Sequence, residues 1–273
     1  MKTQRENGNP LSSAEPWNLV ADGYTTELKY WSELIAGKAL ELANLPSSPH
    51  IVDIAAGPGS LSLLAAKAGA VVSAIDFSEN MVTNLLRSSK EMGLTLADVR
   101  VGDGQNLPYD DCQFDGAFSM VGLIFFPDRG AGFREMCRVL RPGCRAVVSS
   151  IASIEGPFVQ VLEVMSEIVP AMPNTSNNKP PLSNSNDFSQ EMSDGGFRDV
   201  TIHTVTEVFT TPTLADFWWK TQRSAAPVAL IKSSLGEEQW DEVSTEVIRH
   251  LQETFSKGSV EEVFTMHLGV GVR

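Results

Sequence analysis

The residues best suited to chemistry surround a glycine-containing turn, AGPG at 56–59. The apolar run 50–55 before the turn predicts a buried strand, and the Leu- and Ala-rich run 60–69 after it predicts a helix. In an open parallel sheet, ligands bind beyond the carboxyl ends of the strands, and glycines there let the backbone approach a ligand closely. The turn therefore predicts a ligand site at this end of a sheet.

A carboxylate after the second apolar run indicates what the ligand contains. Asp76 ends the run 70–76 and lies 17 residues after Gly59, a spacing typical of an acid that accepts hydrogen bonds from ribose hydroxyls. The alternative is that Asp76 only caps the helix that begins near Ser78. The turn that precedes Asp76 favours ribose binding.

A second acidic loop, GDGQNLP at 102–108, follows the third apolar run. The Asp103 carboxylate can accept a hydrogen bond from an adenine amino group, and the backbone N–H of Gly104 or Gln105 can reach a ring nitrogen. A dinucleotide-binding enzyme has no role for such a loop, so this loop separates a dinucleotide site from the site of another adenosine-containing cofactor.

The elements that position these loops alternate along the chain. Strands followed by helices indicate right-handed βαβ units and a parallel sheet. The run 170–187 is dense in Pro, Asn and Ser, and it predicts either a mobile lid or a plain surface linker. Strands are predicted at 50–55, 70–75, 94–101, 114–120, 145–151, 197–209 and 263–272, and helices at 17–45, 60–69, 78–92, 129–140 and within 212–256.

Charge and composition narrow the class of partner. The net charge is −13, and 21 basic residues are outnumbered by 34 acidic ones, which argues against binding to a nucleic acid or to an anionic membrane surface. No apolar run has the length of a membrane span, and the polar start lacks the core of a signal peptide. The three cysteines have no metal-ligand spacing, so we expect no metal and a reducing, cytoplasmic setting.

Five motifs in order between residues 51 and 150 resemble the class I S-adenosylmethionine-dependent methyltransferases, in the small-molecule branch that includes the ubiquinone and menaquinone methyltransferases. The ordered set is more specific than any single motif. The motifs are VDIAAGPGSLSLLA, AIDFSENMV, GDGQNLPYDDCQFD, FDGAFSMVGLIFFPD and FREMCRVLRPGCRAVVSS. The chain departs from the family at Ala55 and Cys144, where the family often has glycine, and a slightly less mobile turn is the expected cost.

The resemblance implies a binding site for S-adenosylmethionine, with S-adenosylhomocysteine as the product. Asp53 and the glycines of the turn match the part of the family that holds the methionine moiety. The implied cofactor-binding residues are Tyr24, Asp53, Ala55, Gly57, Gly59, Asp76, Phe77, Met81, Asp103, Gly104, Gln105, Ser119 and Met120. For Tyr24 and Met81, ordinary packing is an equal or nearly equal alternative.

The resemblance also implies an α/β fold, a Rossmann-like, mostly parallel sheet of seven strands with an antiparallel last strand, helices on both faces and a helical cap. We expect one domain over 17–273 after a flexible tail at 1–16. Its expected parts are an N-terminal helical cover over one sheet edge (17–49), a cofactor-binding core (50–151), substrate-cap insertions (152–190 and 212–256) and closing strands (195–211 and 263–273).

The methyl acceptor is expected to be a small, hydrophobic or aromatic molecule. Its predicted pocket residues are aromatic, and filling of the core between cap and sheet is an equal alternative for them: Phe125, Phe126, Phe158, Trp218 and Trp219. Transfer is an in-line displacement that needs alignment first, and no histidine is singled out as a base. An NAD-dependent oxidoreductase and a non-catalytic binding protein on the same fold are the alternatives; the sequence leaves the acceptor atom and the oligomeric state open.

Overall fold

Seven strands form a single sheet in the computed structural model, which describes residues 9–168, 180–255 and 258–273. The strand order is β3-β2-β1-β4-β5-β7-β6, with β7 antiparallel to both of its neighbours and the other neighbouring pairs parallel. This arrangement confirms the predicted sheet. The strands are β1 (His50–Ile54), β2 (Val71–Asp76), β3 (Asp98–Val101), β4 (Phe114–Met120), β5 (Leu140–Glu155), β6 (Arg198–Thr211) and β7 (Val260–Val272).

Ten α-helices surround this sheet in the described part of the chain. They are α1 (Ala14–Glu27), α2 (Lys29–Ala43), α3 (Ser60–Lys67), α4 (Glu79–Glu91), α5 (Arg129–Val139), α6 (Pro157–Ile168), α7 (Ser185–Asp194), α8 (Leu214–Ser224), α9 (Ala226–Ser234) and α10 (Glu237–Thr254). Ser78 caps α4, because its hydroxyl accepts a hydrogen bond from the backbone N–H of Met81 at 3.2 Å. None of these helices combines the length and the apolar character needed to cross a bilayer.

The two faces of the sheet are covered by different helices. Small residues of α2, including Ala36 and Ala39, pack with α3 against buried side chains such as Phe118 on one face. The other face packs against α5 and α7 through larger residues such as Phe133 and Phe188. Small side chains let α2 lie close to the strands. The N-terminal cover therefore lies over a face of the sheet, which corrects the prediction that it packs over an edge.

The cap consists of α6, α8, α9 and α10. A separate apolar cluster packs these four helices together. Trp218 and Trp240 stack at its centre with ring centroids 5.8 Å apart, and both are buried. The Trp218 indole N–H donates to the Ser244 hydroxyl at 2.8 Å, so the polar edge of this buried ring is paired. The cap is joined to the sheet where β5, β6 and β7 extend beyond the parallel strands.

Two predicted boundaries are corrected by the packing. Pro10–Ser12 form a 3-10 turn and α1 begins at Ala14, so this part of the predicted tail is structured; the Ser12 hydroxyl donates to the backbone carbonyl of Phe125 at 2.6 Å. Helix α7, predicted within a cap insertion, instead packs on the sheet because Phe188 and Met192 are buried there. Residues 1–8 of the tail and 169–179 of the predicted lid lie outside the described residues.

Candidate functional site

A cavity of about 370 Å³ lies at the carboxyl ends of β1, β2 and β4, where the sequence predicts a ligand site. Two walls enclose it. The loop wall comes from the segments after β1, β2 and β3, and the helix wall comes from the N-terminal segment, α1, α2 and the segment after β4. The loop wall contains Asp53, Ala55–Pro58, Asp76, Phe77, Met81 and Gly102–Gln105; the helix wall contains Ser12, Trp17, Tyr24, Trp31, Ser32, Ile35, Ala36, Met120–Gly122 and Phe125–Pro127.

Asp76 is the central polar residue of the loop wall. One carboxylate oxygen accepts the backbone N–H of Gly57 at 2.8 Å, and the other accepts the backbone N–H of Ser78 at 2.8 Å. Burial raises the pKa of Asp76 to about 6, although these backbone N–H groups favour the ionised form. A carboxylate has about four acceptor positions. Asp76 therefore keeps acceptor capacity for a hydroxyl group of a ligand in the cavity.

Asp53 brings a second carboxylate to the same wall. It accepts a hydrogen bond from the Ser62 hydroxyl at 2.7 Å and is almost fully buried. Burial, together with the nearby Asp76 carboxylate, raises the pKa of Asp53 to about 7, although the hydrogen bond from Ser62 lowers it. Two acidic groups in a poorly solvated wall favour a ligand that carries positive charge, since such a charge would stabilise their ionised forms.

The third loop connects the two walls. The Gln105 side-chain amide donates to both oxygens of Asp103 at 2.9 and 3.2 Å, and its carbonyl accepts the backbone N–H of Asp128 at 2.8 Å. A Cβ added at Gly104 would lie 2.5 Å from the Phe126 ring, so this position requires glycine. The rigid loop presents Asp103 at the exposed rim of the cavity.

Aromatic side chains dominate the helix wall. The Trp17 ring lies edge-on to Phe125 at 4.9 Å and to Tyr24 at 6.3 Å. Burial raises the pKa of Tyr24 to about 12, so its phenol stays protonated at neutral pH. The amide oxygen of Asn18 accepts the hydroxyl of Ser78 at 2.7 Å, which holds α1 over the start of α4. Helix α1 thus closes the cavity over Asp76.

Each wall contains one non-glycine residue in the left-handed region. Ala55 has a φ of 55° at the end of β1, and Val121 has a φ of 60° at the end of β4. The backbone N–H of Val121 donates to the buried Ser149 hydroxyl at 2.9 Å, which stabilises this conformation. Such conformations are costly for residues with a Cβ, most of all for β-branched ones, and they concentrate at functional sites.

The structure brings most of the predicted site residues together around the cavity. Gly59 and Ser119 are exceptions on the cofactor side. Gly59 packs under Leu85, whose Cδ1 would be 2.1 Å from an added Cβ, and Ser119 is buried beneath Gly122. The predicted residues that line the cavity are Tyr24, Asp53, Ala55, Gly57, Asp76, Phe77, Met81, Asp103, Gly104, Gln105, Met120, Phe125 and Phe126.

Three predicted acceptor residues do not line the cavity. Phe158 and Trp218 pack inside the cap cluster, so they fill the core as the alternative interpretation expects. Trp219 is 53% exposed on the outer surface of α8, where the Arg223 guanidinium lies 4.5 Å from its ring centre. These placements correct the prediction, because the cap helices direct their aromatic rings toward each other or toward solvent.

Sequence reasoning missed the face of α2 that lines the cavity. Trp31 and Ser32, followed one turn later by Ile35 and Ala36, form this face. Trp17 on α1 was missed as well. The helical spacing of 31, 32, 35 and 36 was a usable signal, but it predicts only a buried face and not what that face covers.

Comparison with known proteins identifies the family of this part of the chain. Residues 52–148 match the family model described as methyltransferase domain. Residues 52–148 are a class I methyltransferase domain. The antiparallel β7 between β5 and β6 agrees with this family and differs from the 3-2-1-4-5-6 order of dinucleotide-binding folds. The family and the cofactor class predicted from the sequence are therefore confirmed.

The methyltransferase domain has relatives of known and unknown function. An uncharacterized protein of Mycobacterium tuberculosis is 35% identical over 139 residues, 51% of this chain and 49% of that protein. A demethylmenaquinone methyltransferase of Corynebacterium kroppenstedtii is 39% identical over 103 residues, 38% of this chain and 42% of that enzyme. The chain therefore spans about half the length of these curated relatives.

The fold also matches solved structures. The YcgJ protein from Bacillus subtilis superposes with a TM-score of 0.57 at 16% identity, and the match covers 89% of this chain and 98% of that one. This similarity extends the fold assignment beyond the methyltransferase domain, to the helices that precede it and the strands that follow it.

S-adenosylmethionine is the cofactor of this domain family, and the loop wall fits it. Asp76 keeps acceptor positions for ribose hydroxyls, and Asp53 offers negative charge to the cationic methionine part. A Cβ added at Gly57 would meet no protein atom within 4 Å, so the glycine leaves room beside the turn. The residues present therefore suit the group.

Proposed function

We propose that this chain transfers a methyl group from S-adenosylmethionine to a small, apolar or ring-bearing molecule bound against the helix wall. The observation that carries the proposal is the buried Asp76 at the carboxyl end of β2, with unused acceptor positions beside the Gly57 turn. A ribose in this place would form charge-assisted hydrogen bonds with the carboxylate. The methyltransferase domain and the strand order support the same proposal.

When bound, S-adenosylmethionine supplies an electrophilic methyl group on a positively charged sulfur. The chain's own contribution is alignment and exclusion of water. Asp53 and Asp76 attract the positive charge to the loop wall, and α1 closes over them through the Asn18–Ser78 hydrogen bond. An acceptor held by the aromatic rings of the helix wall would then face the reactive carbon.

Proton removal is a secondary task in this proposal. The described residues that line the cavity include no histidine and no lysine. His203 and His267 instead hydrogen-bond to threonines on the antiparallel strands, and His250 contacts Gln160 in the cap at 3.1 Å. We therefore propose that alignment, and not a histidine base, provides most of the rate enhancement.

The proposed acceptor class rests on the helix wall. Trp17, Ile35, Met120, Phe125 and Phe126 give an apolar surface next to the loop wall. Such a surface binds a molecule with few polar groups and suits flat rings that pack against aromatic side chains. The Corynebacterium relative is named for a quinone-type substrate, and an apolar ring compound agrees with that name.

Isothermal titration and a labelling assay test the proposal in two stages. We expect S-adenosylmethionine and S-adenosylhomocysteine to bind with micromolar Kd and NADH not to bind. Binding of NADH alone would favour an oxidoreductase. Tritium from a methyl-labelled donor should then enter a product in a metabolite extract; binding without any labelled product would favour a non-catalytic binding protein.

A further inference from the structure

A second cavity, of about 330 Å³, lies in a groove between α1, α8 and α9. Its lining includes Leu19 and Gly23 of α1, Arg223 of α8, and Ala229 and Lys232 of α9. A Cβ added at Gly23 would lie 2.1 Å from the backbone oxygen of Arg223, so α1 and α8 touch there through their backbones. A space of this size suits a small molecule.

The charge of this groove differs from that of the chain as a whole. The chain has a net charge of −13, whereas the groove contains two cations, Arg223 and Lys232. The Arg223 guanidinium carbon lies 4.5 Å from the centre of the Trp219 ring, and the Lys232 ammonium lies 5.3 Å from the centre of the Trp240 ring. The ring faces hold both cations, and N–H donors that point away from the rings remain for an anion.

The other polar contacts in the groove also leave donors unused. The Glu27 carboxylate lies 3.7 Å from the Nε of Arg223, which is longer than a hydrogen bond, and Lys232 forms no ion pair within the part of the chain that the structure describes. The side-chain oxygen of Gln222 accepts the Trp240 indole N–H at 3.3 Å, so the NH₂ group of this amide remains to donate. Three side chains thus offer donors to a ligand.

The remaining residues of the groove limit the charge and shape of that ligand. The Asp22 carboxylate also lines the groove; it accepts from Asn84 at 3.1 Å and from Arg87 at 3.2 Å, which offsets only part of its charge. A second negative charge on the ligand would be repelled by Asp22. Leu19 is 49% exposed and lies with Ala229 in the groove, where an apolar chain would cover both. A monocarboxylate with a short apolar chain meets all these conditions, because carboxylate oxygens accept charge-assisted hydrogen bonds.

Helix α1 connects the groove to the cofactor cavity. It places Leu19 and Gly23 in the groove, and Trp17 and Tyr24 in the cavity. One apolar cluster packs against both sites, since it includes Met81 of the cavity and Ala229 of the groove. A ligand in the groove would therefore hold the helix that closes over the cofactor.

We propose that the groove between α1, α8 and α9 binds a small monocarboxylate with a short apolar chain, and that this ligand strengthens cofactor binding by holding α1 against the cap. The site lies outside the cofactor cavity and goes beyond the proposed methyl transfer. The coupling requires a ligand that binds better when α1 is closed. It must then be reciprocal, so the cofactor also strengthens binding of the carboxylate.

The test compares hexanoate with hexanamide, its neutral counterpart of the same chain length. Saturation-transfer NMR titrations at neutral pH, with S-adenosylhomocysteine present, give the Kd of each probe for the wild type and for Lys232→Gln. The matched control is Lys90→Gln, which removes the same charge from an exposed position in the last turn of α4.

We expect the Kd of hexanoate to rise at least about fivefold in Lys232→Gln, because a charge-assisted hydrogen bond is lost, and to stay unchanged in Lys90→Gln. Hexanamide should bind the wild type at least about fivefold more weakly than hexanoate and be insensitive to both substitutions. Absence of hexanoate binding, equal binding of hexanamide, or an equal Kd of hexanoate in Lys232→Gln would overturn the site.

Titration of S-adenosylhomocysteine with and without saturating hexanoate tests the coupling. We expect hexanoate to lower this Kd at least about twofold in the wild type and to leave it unchanged in Lys232→Gln. An unchanged Kd in the wild type would overturn the coupling. Failure of the wild type to bind S-adenosylhomocysteine at all would instead defeat the proposed function, while the hexanoate titrations would still decide whether the groove is a binding site.

Discussion

The loop wall and the helix wall of the cavity are built on different principles. The loop wall is polar and comes from three strand-to-helix connections within 53 residues, from Asp53 to Gln105. The helix wall is mainly apolar and combines α1 and α2 with the segment after β4, which are far apart in the sequence. In the proposed function, the loop wall holds the cofactor, whereas the helix wall determines which acceptor fits. The comparison teaches that local connections built one half of the cavity and long-range packing built the other.

The largest expected effect comes from comparing one substitution in each wall by its change in cofactor affinity. Asp76→Ala should weaken S-adenosylhomocysteine binding at least tenfold, about 1.4 kcal/mol, because the ribose would lose charge-assisted hydrogen bonds. Phe125→Ala on the helix wall should change the same Kd by less than about threefold, since one apolar contact contributes less. Isothermal titration measures both, with Asp241→Ala on the exposed surface of α10 as the control. Equal losses in the two variants would contradict the division into walls.

The pH dependence of binding sharpens the comparison. The pKa of Asp76 is raised to about 6, and ribose hydroxyls hydrogen-bond best to the ionised form. The Kd of S-adenosylhomocysteine should therefore fall up to about tenfold between pH 5 and pH 8. Asp53, with a pKa of about 7, titrates in the same range. Asp76→Asn should therefore remove only part of the pH dependence and leave a smaller step, shifted below pH 7 because the Asp76 charge no longer raises the pKa of Asp53. A pH-independent Kd in the wild type would contradict this assignment.

The same shifts act on the stability of the ligand-free protein. Both folded-state pKa values lie above the ordinary value of 3.8, so the fold favours the protonated carboxyls. This contribution is complete below about pH 4 and is lost as the pH rises through 6 and 7. Saturating ligand should oppose that loss.

The smallest expected effect concerns the two left-handed residues. A left-handed conformation costs about 1–2 kcal/mol for a residue with a Cβ, and glycine costs about 0.5–1 kcal/mol through the unfolded chain. Ala55→Gly should therefore raise the free energy of unfolding by about 0.5 kcal/mol. Val121→Gly also loses a buried side chain and should lower it by about 1 kcal/mol. Urea titrations measure the free energy of unfolding of both variants. A change of the same sign in the two variants would contradict this prediction.

Sequence patterns located the loop wall well because local chain geometry determines it. The AGPG turn, Asp76 and the loop after β3 each follow a buried strand, and parallel strands bring such connections to one end of a sheet. The glycines at 57 and 104 were placed correctly for the same reason. Gly59 was assigned to the cofactor, but in the structure its missing Cβ makes room for Leu85 of α4. A pattern shows that glycine is needed, not which neighbour needs it.

Predictions about the helix wall failed where they depended on packing between distant elements. Trp218 and Trp219 have the residue type expected of an apolar pocket, yet one stacks on Trp240 and the other faces solvent. The extension of β5 to Glu155 was missed as well, because residues 153–155 are strand only through pairing with β7. Neither the ring contacts nor the strand pairing has a local signal.

The sequence by itself determined the strand-turn-helix units and the carboxylates and glycines of the loop wall, which follow from local periodicity and short spacing. The family resemblance added the seven-stranded sheet with an antiparallel last strand. Only the tertiary structure decided that α2 lies on a face of the sheet, that the cap tryptophans turn away from the cavity, and that Trp31 and Ser32 line it. The physical reason is that an apolar sequence pattern predicts only that a side chain is buried. Which residue covers it depends on contacts with residues far along the chain.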